Sequence, residues 1–261
     1  MSDPVRAKKH LGQHFLNDEG IAKRIVDSLT SKIPKEEMIL EIGPGMGVLT
    51  KYLISEPHFL AIDVDSESVA FLKKTYPEHE NQFMLADFLK MDLDTISNDS
   101  ELSVIGNFPY NISSQITFKV LENKNKVRFV VGMFQKEVAE RIAESPGSKT
   151  YGILSVFLQA YYNIEYLFTV HENVFKPAPK VKSAVIRLER NSRKKLDCDE
   201  DLFFKVVKTT FNQRRKTIRN TIKSFLPAGK KVDDEILNKR PEQLSVEQFV
   251  YLTNLVQSNL E

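Results

Sequence analysis

The sequence predicts an α/β fold: a Rossmann-like parallel sheet with helices on both faces, followed by a small all-helical C-terminal domain. Three observations predict it. Short apolar runs alternate with segments of helical periodicity from residue 38 onward. A glycine cluster follows the first strong strand and opens a helix. The strand signal stops near Arg190.

The elements follow in order. Asn17-Asp18 offers a helix cap ahead of Ile21, Ile25, Val26 and Leu29, and Pro34 ends that helix. Residues 38–42 (MILEI) read as a strand and 48–55 as a helix. Residues 58–63 (HFLAID) are a strand, and 66–76 a helix capped by Ser66. Strands at 82–86 and 102–106 precede a helix over 113–122, and a strand at 128–134 precedes a helix over 137–144. The loop at 145–151 contains Gly and Lys but lacks phosphate-loop spacing. Residues 151–162 read as a helix. Strands at 164–171 and 183–189 flank the turn Lys176-Pro177-Ala178-Pro179. Residues 191–200 are a polar linker, and the rest is helical by periodicity. The predicted domains are therefore 1–190 and 191–261.

Composition narrows the function classes. The chain is 41% hydrophobic and 28% charged, the balance of a soluble globular protein. No apolar run is long enough to span a bilayer, and the first fifteen residues lack the apolar core of a secretory signal. Cys198 alone cannot build a disulfide or a zinc site, and the five histidines are not read as metal ligands. A cytoplasmic protein without metal or membrane partner is expected, and a monomer. The net charge of +2 is uneven: from Arg190 onward there are 15 Lys and Arg against 10 Asp and Glu, and before it 22 against 25. A basic minor part on a mildly acidic major part suggests a polyanion partner.

The glycine cluster is Gly43-Pro44-Gly45-Met46-Gly47, spaced G-x-G-x-G. A dinucleotide fingerprint would need glycine at Val48, so a nicotinamide dehydrogenase is disfavoured. The next strand ends in Asp63, at the distance where an acid accepts both ribose hydroxyls of an adenosine. The third strand ends in Asp87-Phe88, where a carboxylate can meet an adenine amino group and an aromatic can pack on its ring. Either acid alone would read as an ordinary solvated residue at a strand end. Three consecutive strand ends of this kind read as a nucleoside pocket.

The fourth strand ends in Asn107-Phe108-Pro109-Tyr110. It resembles the (Asn/Asp/Ser)-Pro-Pro-(Tyr/Phe) motif of methyltransferases that modify base amino groups. The N6 lone pair of adenine is delocalised into the ring, so this amine is a poor nucleophile. The Asn107 side-chain carbonyl and the Pro109 backbone carbonyl can accept its two N–H groups and stabilise the charge that develops on nitrogen. Tyr110 supplies a flat face for a base taken out of its helix or loop.

Taken together, these residues resemble the ribosomal RNA adenine N6,N6-dimethyltransferase family over nearly the whole chain. Its marks here are Lys9-His10-Leu11-Gly12-Gln13-His14-Phe15-Leu16, the tetrapeptide, the run from Phe175 to Ser183, and Arg214-Arg215-Lys216-Thr217-Ile218-Arg219-Asn220. Phe108 stands where leucine is usual, and Asp63 where glutamate is common. The resemblance implies S-adenosylmethionine as methyl donor. It implies cofactor contact at His14, Leu16, Gly43, Asp63, Asp87 and Asn107, to which the glycine loop and the third strand end add Gly45 and Phe88. It makes Phe175 the second aromatic enclosing the adenine, opposite Tyr110. It implies dimethylation of two adjacent adenines in the 3′-terminal hairpin loop of small-subunit (16S) rRNA. In residues 205–223, Val207, Phe211, Ile218 and Ile222 recur at helical spacing, with Lys208, Arg219 and Lys223 one position on from Val207, Ile218 and Ile222, and Arg215 four on from Phe211. One helix is expected there, packing by one face and meeting RNA phosphates by the next. The alternatives are a large-subunit rRNA adenine methyltransferase and an assembly factor that keeps the fold without turnover.

Overall fold

The computed structural model describes residues 5–97 and 101–260. The predicted domains extend to residues 1 and 261, which lie outside that range. A seven-stranded sheet has the order β4-β3-β2-β5-β6-β9-β7. Its strands are β2 (Met38–Ile42), β3 (Phe59–Asp63), β4 (Phe83–Leu85), β5 (Leu102–Asn107), β6 (Val127–Gln135), β7 (Tyr162–Val170) and β9 (Ser183–Arg190). A separate antiparallel ribbon pairs β1 (Phe15–Leu16) with β8 (Phe175–Lys176).

The five strands from β4 to β6 are parallel, but β9 runs antiparallel to β6. The sheet is thus mostly parallel, as the Rossmann-like fold expected from the sequence has it, with β9 added antiparallel. The cause is the proline-rich connection after β7, which carries the short ribbon strand instead of a crossover helix. The central strands are buried almost throughout, as a sheet covered on both faces requires.

Helices α1 (Glu19–Thr30), α2 (Thr50–Leu53), α3 (Ser66–Thr75), α4 (Asp94–Ser97), α5 (Ser113–Glu122) and α6 (Lys136–Ala143) alternate with these strands. The side chain of Asp18 caps α1 by accepting from the Ile21 N–H. The cap of α3 is Asp65, not Ser66: its carboxylate accepts from the Glu67 N–H. Ala22, Ile25, Val26 and Leu29 of α1 are buried in one cluster with Ile105 and Val131 of the sheet.

The chain divides into two units. One comprises residues up to Ala139 together with Asn163–Arg190; the other comprises Glu140–Tyr162 and the chain from Asn191. The division after Arg190 coincides with the expected boundary. The segment 140–162 does not follow the expected 1–190 domain, because α7 (Ile153–Gln159) packs with the C-terminal helices. Its Phe157 meets Phe204 edge-on at 4.6 Å and Phe203 at 6.2 Å. The rest of this unit contains α8 (Glu200–Asn212), α9 (Ile218–Thr221), α10 (Val246–Gln257) and short 3-10 turns. No helix among the described residues is long and apolar enough to cross a membrane.

Candidate active site

β3 and β5 flank β2 on opposite sides, so the winding direction reverses at β2. Open α/β sheets bind ligands beyond the carboxyl ends of the strands at such a point. A cavity of about 320 Å³ lies there, bordered by Gly43, Gly45, Asp63, Asp87, Asn107 and Tyr110.

The loop after β2 brings bare backbone to this cavity. Gly45 has φ 55°, and a Cβ there would stand 2.8 Å from the Phe15 ring, so only glycine fits. Asp63 ends β3 with its carboxylate held by the Asp65 N–H at 2.9 Å and the Gly45 N–H at 3.4 Å. Burial pushes its carboxyl above the usual range, against these two hydrogen bonds. Glu41, one strand over, is fully buried against the Thr50 hydroxyl at 2.8 Å, and burial pushes its pKa up to about 8.

Asp87 borders the cavity, but Phe88 does not pack there as expected. Asp87 caps its own turn by accepting from the Leu89 N–H at 3.0 Å, which rotates Phe88 into the core at 3% exposure and leaves Leu89 at the cavity wall.

The tetrapeptide is held from several sides. The Asn107 side-chain N–H donates to the His14 carbonyl at 2.8 Å, which leaves its side-chain oxygen as an acceptor in the cavity. The Pro109 carbonyl accepts from the Ile112 N–H at 3.1 Å and keeps a second lone pair. The Tyr110 hydroxyl lies 2.5 Å from Ser183 Oγ, and burial raises its pKa, so it is a neutral phenol. Phe108 anchors the loop from below. Its ring fills the space where Cβ atoms on Gly106 and Gly132 would stand within 3 Å of it, and it meets Phe134 edge-on at 5.2 Å. Those two glycines explain how the larger residue is accommodated where leucine is usual.

Phe175, expected to enclose the adenine opposite Tyr110, does not border the cavity. The ribbon register sets it against Leu16, and both are buried in the core, Phe175 at 5% exposure. The His14 ring stacks on one face of Tyr110 at 5.4 Å and 28°. His14 Nδ1 is 2.7 Å from the Pro177 carbonyl; a carbonyl only accepts, so Nδ1 carries the proton. Leu16 borders a smaller cleft with Glu41 and Gly43. His10 and His14 are four apart, but the segment turns at Gly12, φ 66°, so no helix carries both on one face.

The sequence reading missed what pins the N-terminal segment. Lys8 Nζ contacts Asp65 at 2.6 Å and Glu67 at 3.0 Å, and Gln13 Nε2 donates to Asp65 at 3.1 Å. Burial alone would raise the Asp65 carboxyl, but Lys8, Gln13 and the Glu67 N–H hold it below the usual range. The Asp-Ser-Glu order at 65–67 signals a helix start but not a contact with Lys8.

In the other unit the expected single helix over 205–223 does not exist. α8 ends at Asn212 and α9 begins at Ile218. Lys208, Arg215 and Lys223 are exposed. Arg219 is committed internally, donating to the Val232 carbonyl at 2.8 Å and lying 3.8 Å from Asp233.

This strand order, glycine loop and tetrapeptide define a Rossmann-like methyltransferase with a site for a base amino group. The family described as ribosomal RNA adenine dimethylase matches residues 5–258. Ribosomal RNA small subunit methyltransferase A of Bacteroides thetaiotaomicron is 56% identical over 261 residues, covering 98% of this chain and 96% of that protein. The protein of the same name from Cytophaga hutchinsonii is 57% identical, covering 97% and 98%. The solved dimethyladenosine transferase of Plasmodium falciparum superposes with a TM-score of 0.76 at 25% identity, covering 94% of this chain and 97% of that one. The chain belongs to the ribosomal RNA adenine dimethylase family.

Proposed function

We propose that this chain dimethylates N6 of two adjacent adenines in the 3′-terminal hairpin loop of small-subunit (16S) rRNA, in ribosome biogenesis, with S-adenosylmethionine as donor. The observation that carries the reading is the Asn107 amide, anchored by its N–H to the His14 carbonyl, at a cavity also bordered by Gly45, Asp63 and Asp87. Those residues fit the donor: backbone stripped of side chains, one buried carboxylate for ribose hydroxyls and another for a base amine. When bound, S-adenosylmethionine supplies a methyl group activated by its sulfonium.

The residues of the chain do the rest. Asn107 and Pro109 accept the two N6 hydrogens and aim the lone pair. Because the Asn107 amide is already fixed, little reorganisation accompanies charge development on nitrogen. Tyr110, fixed by Ser183, gives the adenine a flat face. Its raised pKa speaks against a role as general base. Lys208, Arg215 and Lys223 contact RNA phosphates, and the enzyme acts as a cytoplasmic monomer without metal.

Incubation with labelled S-adenosylmethionine and unmethylated small or large subunits tests this. Label is expected in small-subunit RNA alone. Label confined to large-subunit RNA favours the large-subunit alternative, and none in either RNA despite cofactor binding favours the assembly factor.

A further inference from the structure

Besides the small cleft at Leu16, Phe15 borders two larger cavities. One is the active-site cavity; the other, about 620 Å³, is bordered by Val5, Arg6, Ala7, Met46, Lys176 and Pro177. Its lining contains two cations and no acid. Among the described residues neither Arg6 nor Lys176 has an ion-pair partner. Lys8, two residues from Arg6, is committed to Asp65 and Glu67. The N-terminal segment therefore uses one cation to fasten itself and presents another to the cavity.

Lys176 stands opposite Phe15 in the ribbon, so one strand pair places a cation, an aromatic ring and the neighbouring Pro177 around the same space. Cations beside an aromatic and other apolar walls are what a nucleotide requires: phosphate on the charges, base on the flat surface. A base held at Asn107–Tyr110 is one phosphodiester from its neighbour, and Phe15 is the wall the two cavities share. We infer that the second cavity is a subsite for a nucleotide flanking the target adenine, with its phosphate on Arg6 and Lys176 and its base against Phe15 and Pro177. This rests on the proposed function and extends it to recognition of the strand beside the target.

The test uses the full chain with unmethylated small subunits. Arg6→Ala/Lys176→Ala should raise KM for the subunit about tenfold and leave kcat within about twofold. Affinity for S-adenosylmethionine and the melting temperature should not change. The slope of log KM against log salt should fall by about 0.7 per lost contact. Arg6→Lys/Lys176→Arg should restore KM. Lys73→Ala/Lys74→Ala, an exposed pair on α3, should leave KM unchanged.

An unchanged KM and salt slope in the first variant would overturn the inference. So would weakened S-adenosylmethionine binding with unchanged KM for the subunit, which would assign the cations to the donor's carboxylate. If the wild-type chain methylates no small-subunit RNA, the proposed function fails. The subsite is then read from binding of a short single-stranded RNA, which must still weaken in the double alanine variant and not in the Lys73/Lys74 control.

Discussion

The catalytic loop and the basic segment of the second unit differ in how their side chains are held. Asn107, Pro109 and Tyr110 each have a partner that leaves one chemical face free. Lys208, Arg215 and Lys223 are exposed, while Arg219 is tied to the Val232 carbonyl. The first region is built to reduce reorganisation at one atom. The second supplies charge, which acts at longer range and tolerates loose placement.

That contrast orders the expected effects. Asn107→Ala removes an acceptor whose contribution grows toward the transition state, so kcat should fall by about 10³-fold while RNA affinity measured by filter binding holds. Equal losses in both would place Asn107 in general RNA binding.

Asp65→Asn keeps a cap acceptor for α3 but removes the charge that fastens Lys8. The segment bearing the His14 carbonyl then loosens its hold on the Asn107 amide. A drop in kcat/KM of about ten- to a hundredfold is expected, with faster proteolysis near residue 8. Unchanged proteolysis alongside the kinetic loss would break the link between the segment and the loop.

Lys208→Ala/Arg215→Ala should raise KM for the subunit about tenfold without changing kcat. Arg219→Ala should instead lower stability by about 1 kcal/mol, through the stranded Val232 carbonyl, as read by denaturant midpoint. The reverse pattern would return Arg219 to the RNA surface.

A pH-dependent effect that leaves the RNA contacts untouched concerns Glu41. Its folded pKa of about 8 exceeds that of a free carboxyl, so the folded state binds the extra proton between the two values. Its contribution to stability is complete below about pH 4 and is lost as pH rises toward 8. Glu41→Gln should flatten the melting temperature over that window; an unchanged slope would show that other groups set it.

What was legible in the sequence divides along the same line. Gly43, Gly45, Asp63, Asp87 and Asn107 follow strands whose apolar runs mark their ends, so position along the chain fixed their place at one sheet edge. Phe88 and Phe175 escaped because an aromatic beside a polar motif can face either way, and only a turn at Asp87 or the register of β1 with β8 decides. The Lys8–Asp65 contact joins residues 57 apart, and no local pattern encodes such a pair. The helix over 205–223 failed because periodicity continues across residues 213–217, while the helix does not.

The site that holds Asn107 and Tyr110 is expected to direct methylation to the exocyclic amine of adenine. The most direct test is nucleoside analysis of unmethylated small-subunit RNA after reaction to completion. The account predicts about two N6,N6-dimethyladenosines per subunit at adjacent positions, and none with Asn107→Ala. Methylation of a ring nitrogen, of a ribose hydroxyl or of a base other than adenine would contradict it.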